Sequence, residues 1–314
     1  MASAQELTEL LNKLSAYARA VAWAQTVQNH SSTIQRIFQR LKLFGPQYIL
    51  SAGLHYLTVA FPRLGRRTIQ SSTFWGKPIF IELRAAESFR LLFRGAPGSE
   101  PEVRLTRFLL QRLTANDVFY DVGANIGYYS MLAAEIGAEV HAFEPVPTTF
   151  RLLRDNVAAY GKQVFANCIA LSDTDGEITM YLPPDWYLTS TLVKETLDKV
   201  ANTITVRTTQ LDMYAQQNHA PTVIKIDVEG AERLVLAGSS TVIENHHPII
   251  VVEICPGQRG IDLSVPAAQF LLDRGYRMHQ IDPTGALKPV STSPSDYIVN
   301  YHGEFDNVVF VHPA

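Results

Sequence analysis

Short apolar runs alternate with amphipathic stretches from residue 118 onward, and this alternation constrains the fold more than any other feature of the chain. Runs typical of β-strands and stretches with the 3.6-residue period of helices follow one another at intervals that suit βα units. The strand-like runs are VFYDVG (118–123), EVHAFEP (139–145), VFANCIAL (164–171), TVIKIDV (222–228) and PIIVVEI (248–254). Helices are predicted over 101–113, 128–136 and 148–160, from near Ala231, and over 266–274. The pattern predicts an α/β fold with a doubly wound, Rossmann-like parallel sheet.

The alternation pauses after the third strand. EITMYL (177–182) and NTITVRTTQL (202–211) alternate polar and apolar residues, which indicates an inserted hairpin. The aromatic and Ser/Thr-rich residues between them make 177–210 a candidate lid over a ligand. Further strands near 276–281 and at 307–312 bring the expected number to seven, within a domain of residues 76–314.

Residues 1–75 differ in composition, and we predict a basic helical N-terminal extension. Residues 1–73 carry eight Lys or Arg and two Asp or Glu, a net charge of +6, whereas the remaining residues carry 19 and 28, a net charge of −9. Apolar residues recur at helical spacing over 5–28 and 33–43, and 43–61 is apolar but broken by a Gly-Pro pair. Two interpretations stay open: an arm that packs on this protein or on a second copy, and a peripheral anchor on an anionic membrane surface.

Targeting signals are weak throughout the chain. No run offers about 20 apolar residues for a membrane span, and the amino terminus does not have the pattern of a secretory signal. We therefore expect a cytoplasmic protein that is at most peripheral to the inner face of the membrane.

The turn after the first strand of the alternation carries the strongest local signal for a ligand site. Glycines in such a turn let the backbone approach a ligand, and ligands of doubly wound sheets bind at the carboxyl ends of the strands. The turn lacks the third glycine of a dinucleotide fingerprint, and its opening acid suits an ammonium better than a phosphate. We expect it to bind the methionyl part of S-adenosylmethionine. The residues concerned are Asp121, Gly123, Asn125, Gly127 and Tyr128.

A second acid ends the next strand. Glu144 stands 23 residues after Asp121 and is followed by a proline. A carboxylate at this place can accept hydrogen bonds from both ribose hydroxyls of a nucleoside. Glu144 is therefore the predicted ribose ligand.

Several ordered pieces of the chain resemble the FkbM family of methyltransferases. They are DVGANIGYYS (121–130), FEP (143–145), ALSDTDG (170–176) and KIDVEGAE (225–232). The resemblance extends from about Val118 to Cys255. It implies the class I methyltransferase version of the doubly wound sheet, with S-adenosylmethionine as the cofactor. It also implies O-methylation, with acceptors that include sugar hydroxyls of glycans and hydroxyls of polyketide products.

The resemblance also bears on the adenine. Related methyltransferases often carry an acid at the end of the third strand for the adenine amino group, but Ile169 occupies the equivalent position here. The resemblance therefore implies backbone groups near Ala170, or the side chain of Asp173. Asp173 can equally be a turn residue, since Asp and Gly are frequent in turns such as SDTDG.

The KIDVEGAE segment supplies the candidates for catalysis. Alternation along the strand places Lys225, Asp227 and Glu229 on one side, at the end where the transferable methyl group is expected. Asp227 is predicted to lie near the cofactor and to act as the base for an acceptor hydroxyl. Glu229 is predicted to bind that hydroxyl or to replace Asp227 as the base, and Lys225 to keep both carboxylates ionised. The alternative is a structural Lys-Asp pair, with Glu229 and Glu232 capping the next helix.

No metal site is assigned from the sequence. One alternative stays open, in which Asp227, Glu229 and Glu253 share a divalent cation, because carboxylate oxygens are hard ligands. The sequence does not fix the geometry that such a site needs.

Other functions compete with hydroxyl methylation. An NAD-dependent oxidoreductase would share the sheet but needs the missing glycine. A nucleic-acid methyltransferase is disfavoured by the acidic body. A non-catalytic S-adenosylmethionine-binding or scaffold protein is disfavoured by the joint presence of Asp121, Glu144 and Asp227. The expected partner is thus a small-molecule or glycan hydroxyl acceptor, with no nucleic acid, and residues 1–75 are the segment expected to touch a membrane or a second copy.

Overall fold

The strands that the sequence predicts build one large sheet, and its topology brings their carboxyl ends together. The computed structural model describes residues 3, 5–12, 67–83, 91–92, 94–182, 191–193, 202–303 and 305–313. The chain divides into two compact units, residues 2–110 and residues 111–314.

The first unit contains an antiparallel hairpin of two strands. β1 (Thr68–Ser72) pairs with β2 (Pro78–Glu82), with Thr68 opposite Glu82. The inward-facing Ile79 and Ile81 of β2 are fully buried. The predicted helical extension therefore does not continue through β1, and the predicted boundary after residue 75 falls in the hairpin turn. β1 escaped prediction because TIQSS is mostly polar and lies half-exposed.

Helices of the first unit agree with the prediction where the structure describes them. Residues 5–12 are helical, with Leu7 and Leu11 buried. The helix predicted over 101–113 is α1 (Glu100–Arg112). The predicted helices beyond residue 12 and the apolar stretch 43–61 lie outside the described residues. Among the residues that are described, no helix has both the length and the apolar character needed to cross a bilayer.

Eight strands form the main sheet of the second unit, in the order β12-β11-β13-β10-β9-β3-β4-β5. They are β3 (Val118–Val122), β4 (Glu139–Phe143), β5 (Val164–Asn167), β9 (Val223–Ile226), β10 (Ile249–Ile254), β11 (Arg277–Ile281), β12 (Leu287–Pro289) and β13 (Asp306–Val311). The five strands from β10 to β5 are parallel, and the pairs β10–β13, β13–β11 and β11–β12 are antiparallel, so only β13 and β12 run against the rest. The chain runs outward from β3 through β4 and β5, and outward on the other side from β9 to β10. Strand order therefore reverses between β3 and β9, where doubly wound sheets bind ligands.

The predicted α/β fold is confirmed, with one strand more than the seven expected. β12 pairs with β11 at the edge of the sheet. It follows a turn in which Asp282 accepts the backbone N–H groups of Thr284 and Ala286. A three-residue strand that ends in proline has no recognisable pattern, and an edge position tolerates proline because its outer N–H needs no partner.

The third predicted strand is two strands in different sheets. β5 ends at Asn167, and β6 (Ala170–Leu171) joins a separate three-stranded sheet in the order β6-β8-β7. The predicted inserted hairpin is confirmed as β7 (Gly176–Leu182) and β8 (Asn202–Thr209), which pair antiparallel. The single-strand prediction was wrong because a continuous apolar run does not reveal which sheet each half joins. Most of the predicted lid between β7 and β8 lies outside the described residues.

Helices connect the strands at the predicted places (128–136, 148–160, from near Ala231 and 266–274) and also over 211–215, 257–259 and 294–300, where none was predicted. They are α2 (Tyr128–Ile136), α3 (Pro147–Val157, then a 3-10 turn Ala158–Gln163), α4 (Leu211–Ala215), α5 (Glu232–Ala237), α6 (Ser240–His246), α7 (Gly257–Arg259, then a π turn Gly260–Ser264), α8 (Val265–Leu272) and α9 (Pro294–Asn300). Tyr120, Phe143, Ile226 and Phe310 belong to the core cluster of the main sheet and are almost inaccessible to solvent. Burial of one such side chain stabilises the fold by about 1.5–3 kcal/mol. The strands that end at the site are therefore well anchored.

A close backbone contact fixes the end of α5 against the segment that follows β6. A Cβ atom at Gly238 would lie 2.0 Å from the carbonyl oxygen of Ser172. The carbonyl of Gly238 also accepts the N–H of Asp212. Only glycine leaves room for this approach, so the two segments can meet only here.

We expect Gly238→Ala to lower the free energy of unfolding by about 1–3 kcal/mol, because backbone atoms must move to admit the methyl group. Urea unfolding of both forms measures the loss. Gly76→Ala is the control: a Cβ there meets nothing within 4 Å, and only its positive φ adds strain, of about 1 kcal/mol. Equal losses in the two variants would contradict the close contact.

Candidate active site

The carboxyl ends of β3, β4 and β9 bring most of the predicted ligand residues together. Asp121 lies opposite Lys225 in the register of β3 and β9. Glu144 directly follows β4, and Asp227 directly follows β9. The Asp227 N–H donates to the carbonyl of Val122 (3.0 Å), so the two strand ends stay paired past the last residues of β9.

The glycine turn after β3 has the backbone that the sequence predicts. Gly123, Asn125 and Gly127 all have positive φ, between 52° and 90°. A Cβ at Gly123 would lie 1.8 Å from the carbonyl oxygen of Asp227, and one at Gly127 would lie 2.6 Å from Leu153. Glycine is therefore required at position 123 by a backbone contact within the protein itself, and it is favoured at position 127 by the positive φ. The turn leads into α2, which begins at Tyr128 as predicted.

Asp121 is buried beneath this turn, with 1 % of its side chain exposed. Its Oδ2 accepts the hydroxyl of Ser130 at 2.6 Å. Its Oδ1 accepts no hydrogen bond from any described residue. Burial raises the pKa of Asp121, while Lys225 and the bond from Ser130 oppose that rise. The free Oδ1 is a buried acceptor that fits the ammonium group predicted to bind there.

Lys225 joins the two acidic strand ends. Its side chain is 3 % exposed, and its Nζ lies 2.9 Å from Asp227 Oδ2 and 3.8 Å from Asp121 Oδ1. The same Nζ lies 5.4 Å from the centre of the Tyr129 ring. The structure thus brings Lys225 and Asp227 together as predicted, in an ion pair that also fits the alternative of a structural role.

Glu144 links the end of β4 to the glycine turn. Its Oε1 accepts the N–H of Val146 (2.9 Å), and its Oε2 accepts the N–H of Asn125 (3.1 Å). Burial raises the pKa of Glu144 to about 7, although these two hydrogen bonds oppose the rise. Each oxygen keeps a second lone pair, so the carboxylate can still accept two ribose hydroxyls.

The residues predicted for the adenine occupy different environments. Ala170 is buried in β6, whereas Asp173 is exposed. Asp173 accepts the hydroxyl of Ser172 at 3.1 Å, and its carbonyl accepts the side-chain amide of Gln210. These contacts agree with the turn interpretation of Asp173. The ring of Tyr128 is buried edge-to-face against Tyr129, and its predicted contact with a cofactor stays a prediction.

Three carboxylates meet beside Lys225. Asp227, Glu229 and Glu253 each offer one oxygen, and these oxygens lie within 4.8 Å of one another. Such spacing suits donors that share a hydroxyl-bearing ligand and equally suits a shared cation. The divalent-cation alternative stays a prediction.

A turn, and not the predicted strand alternation, places Glu229 in this cluster. β9 ends at Ile226, so strand alternation does not extend to Glu229. Instead, Glu229 and Gly230 have positive φ (55° and 102°) and turn the chain back. Glu232 accepts the N–H groups of Val228 and Gly230 and so fixes the turn. Glu232 thus closes the turn that leads into α5, and the helix has no side-chain hydrogen bond at its N-cap, Ala231.

Burial raises the pKa of Glu229 to about 7, and the negative charge of Asp227 adds to this rise. The guanidinium of Arg259 opposes it from 3.4 Å, measured from Nη2 to Glu229 Oε2. A carboxylate that titrates near neutral pH suits a general base. Arg259 was missed by sequence reasoning, since it lies 30 residues from Glu229 in a three-residue helix without a recognisable motif.

We expect Lys225→Met to lower the free energy of unfolding by about 3–5 kcal/mol, because it leaves the buried Asp121 and the partly buried Asp227 without their cation. Urea unfolding at neutral pH measures the change. Lys288→Met is the control: the side chain of Lys288 is 66 % exposed beside Asp282, and such surface pairs contribute about 0–1 kcal/mol. A loss below about 1 kcal/mol at Lys225 would show that the buried pair does not hold the two strand ends together.

Comparison with known proteins assigns the family. The family model of the methyltransferase FkbM domain matches residues 121–278, about half of the chain. This match contains the glycine turn, Glu144, the KIDVEGAE segment and the three clustered carboxylates.

Two curated relatives support this match. The hexuronic acid methyltransferase AglP of Haloferax volcanii is 31 % identical over 160 residues, which are 50 % of this chain and 63 % of that protein. The chain thus spans less than two thirds of the length of AglP. The 31-O-demethyl-FK506 methyltransferase FkbM of Streptomyces tacrolimicus is 30 % identical over 210 residues, 54 % of this chain and 81 % of that protein.

One solved structure bears the same family name. The methyltransferase FkbM of Methylobacillus flagellatus is 15 % identical, with a TM-score of 0.43, and the match covers 87 % of this chain and 65 % of that one. The glycine turn, the topology of the sheet and the two curated relatives lead to one assignment. The chain belongs to the FkbM family of S-adenosylmethionine-dependent methyltransferases.

Proposed function

We propose that the protein is an O-methyltransferase that methylates a hydroxyl of a sugar, a glycan or a polyketide-type product by in-line displacement. The single observation that carries this proposal is the meeting of Asp227, Glu229 and Glu253 beside the glycine turn. A hydroxyl must lose its proton as its oxygen takes the methyl group, and this cluster offers acceptors for that proton.

The proposed cofactor-binding site consists of residues at three strand ends. We assign the ammonium to Asp121 Oδ1, which is buried and accepts no hydrogen bond from the described residues. We assign the ribose to Glu144, and the adenine to the segment that begins at Ala170, with Asp173 at its exposed end. When bound, S-adenosylmethionine supplies an electrophilic methyl group on its sulfonium.

Glu229 is the better candidate for the base. Asp227 already accepts a hydrogen bond from the buried Lys225 at 2.9 Å, which occupies one of its oxygens. Glu229 has a pKa of about 7, and a base of that pKa balances availability at neutral pH against proton affinity. We therefore assign proton transfer to Glu229. Asp227, with Lys225, is assigned to orienting the hydroxyl.

The charge of the site favours a hydroxyl over a carboxylate as the acceptor. The name of the hexuronic acid methyltransferase leaves both open, since a hexuronic acid carries hydroxyls and a carboxylate. A carboxylate acceptor would bring a further negative charge to three clustered carboxylates, which repel it. It would also need no base, because it is already ionised at neutral pH.

The proposals for partners and location concern the whole chain. We propose a small-molecule or glycan acceptor and no nucleic acid, on the net charge of −9 in residues 74–314. We propose a cytoplasmic protein whose residues 1–75 touch a membrane surface or a second copy. Most of these residues lie outside the described part of the chain.

Transfer of labelled methyl groups tests the proposed reaction. The protein is incubated with methyl-labelled S-adenosylmethionine and a cell extract that is separated into lipid, glycan, small-molecule and macromolecular fractions. We expect label in the glycan or small-molecule fraction. We also expect the label to survive mild alkali, because methyl ethers resist it and methyl esters release methanol. Glu229→Gln should slow transfer by about 10²–10⁴-fold through loss of the base.

Glu244→Gln is the matched control for this experiment. Glu244 lies on α6, with 58 % of its side chain exposed, and pairs with Arg274. It precedes the amino end of β10, whereas Glu253 lies near the carboxyl end of that strand, so its loss should leave transfer unchanged. Alkali-labile label would assign the reaction to a carboxylate. Absence of label with normal cofactor binding would favour the non-catalytic alternative.

The burial of Glu144 predicts pH-dependent cofactor binding. Ribose hydroxyls donate best to an ionised carboxylate, and the free protein has a Glu144 pKa of about 7. Binding must therefore remove a proton from Glu144 below that pH. We expect the Kd for S-adenosylmethionine to rise about tenfold as the pH falls from about 8 to about 6, by linkage between binding and ionisation.

Glu144→Gln separates this effect from the titration of the cofactor itself. The variant should bind more weakly, and its affinity should lose the component of pH dependence that Glu144 supplies. Calorimetric titration of both proteins across this range gives the ratio of their Kd values. A ratio that does not change with pH would refute the ribose role.

A further inference from the structure

Arg259 and Glu229 form an isolated pair at the edge of the carboxylate cluster. Arg259 Nη2 lies 3.4 Å from Glu229 Oε2. Among the described residues, neither side chain has another ion pair or hydrogen bond. Each side chain is therefore oriented by the other, within the limits that the backbone sets.

The backbone on both sides of the pair is tightly constrained. Glu229 lies in the left-handed turn that Glu232 fixes through Val228 and Gly230. On the other side, a Cβ at Gly260 would lie 1.8 Å from the carbonyl oxygen of Cys255. This close contact folds the chain back directly after β10, and Arg259 precedes it.

We propose that Arg259 is a positioning residue, which holds the Glu229 carboxylate toward the acceptor hydroxyl whose proton it takes. This inference rests on the proposed function, because it assumes that Glu229 is the base. It adds a residue that lies outside the motifs from which the site was predicted.

The charges around Glu229 explain why a cation is needed there. Asp227 and Glu253 lie on the cluster side, and Glu232 lies in the same turn. Like charges at this distance repel the Glu229 carboxylate and favour its protonated form. Arg259 is the cation that opposes them, since Lys225 is bound to Asp227. Without Arg259, Glu229 would be neutral over more of the physiological pH range and free to turn away.

The strength of the pair suits a base that must also release its proton. The side chain of Arg259 is 39 % exposed, and the contact of 3.4 Å is longer than a charge-assisted hydrogen bond of full strength. A buried bidentate pair would hold Glu229 so firmly in the ionised form that it would accept protons poorly. The observed contact instead leaves the pKa of Glu229 at about 7.

Carbon-13 NMR of the glutamate carboxyl carbons tests the proposal without knowledge of the acceptor. The full-length protein, saturated with S-adenosylhomocysteine, is titrated, and the Glu229 signal is assigned by its absence in Glu229→Gln. In Arg259→Gln we expect the midpoint of the Glu229 titration to move to higher pH, to a proton concentration about three- to tenfold lower than in the wild type. This range allows for the exposure of the arginine. Arg259→Lys should restore most of the difference, and Arg259→Ala replaces the Gln variant if that one does not fold.

A purely structural tie would give a different result. Arg274→Gln, which breaks the remote pair with Glu244, is the control and should leave the Glu229 midpoint unchanged. A midpoint that is the same in wild type and Arg259→Gln overturns the proposal, whatever the effect on stability.

Methyl transfer into the labelled fraction separates this proposal from the proposed function. In Arg259→Gln, the acid limb of the pH profile of kcat should move to higher pH, with the Kd of S-adenosylhomocysteine unchanged. If the Glu229 midpoint moves but Glu229→Gln still transfers at the wild-type rate, Glu229 is not the base, and the positioning role falls with the proposed mechanism. If Glu229→Gln abolishes transfer and the midpoint does not move, the mechanism stands and only the role of Arg259 is refuted.

Discussion

A buried ammonium between two carboxylates is the interaction on which the site depends. Lys225 holds Asp227 at 2.9 Å and lies 3.8 Å from Asp121, and all three follow from the pairing of β3 with β9. A charge this deeply buried is tolerated only while its partners remain in place. The same interaction therefore fixes the register of β3 and β9, the rotamer of Asp227 and the position of Asp121 beneath the glycine turn. The contact of Gly123 with the Asp227 carbonyl adds a steric constraint to the electrostatic one.

Different kinds of group stabilise the ionised forms of Glu144 and Glu229. Burial raises the pKa of both Glu144 and Glu229 to about 7. Backbone N–H groups of Asn125 and Val146 oppose the rise at Glu144, whereas the partly exposed guanidinium of Arg259 opposes it at Glu229. Fixed backbone donors suit a residue that binds a ligand in one geometry. A side-chain cation suits a residue whose charge must change during a reaction, because it can adjust to both states.

The sequence predicted most of the cofactor side of the site and less of the acceptor side. Asp121, Gly123, Asn125 and Glu144 come together because each ends a strand or opens a helix, and strand ends meet by topology. The placement of Glu229 could not be derived from alternation, since it depends on a left-handed turn beyond the end of β9. Arg259 could not be found at all, because its partner is 30 residues away and no local pattern marks it. β1, β12 and the division between β5 and β6 were missed for a related reason: pairing partners, rather than local propensity, define short strands.

The division between β5 and β6 has a consequence for how such a protein can change. The chain leaves the main sheet after Asn167, and β6 pairs with β8 in a separate sheet that ends in the β7–β8 hairpin. Residues inserted or lost between Leu182 and Asn202 would alter no hydrogen bond of the main ladder, and the entropy of closing a longer loop grows slowly with its length. The hairpin shares no hydrogen-bonded ladder with the strands that end at Asp121, Glu144 and Asp227, and it is joined to them only by packing, through Met180, Leu182 and Val206 against Val146 among the described residues. Its tip can diverge in length and composition while the methyl-transfer chemistry stays the same.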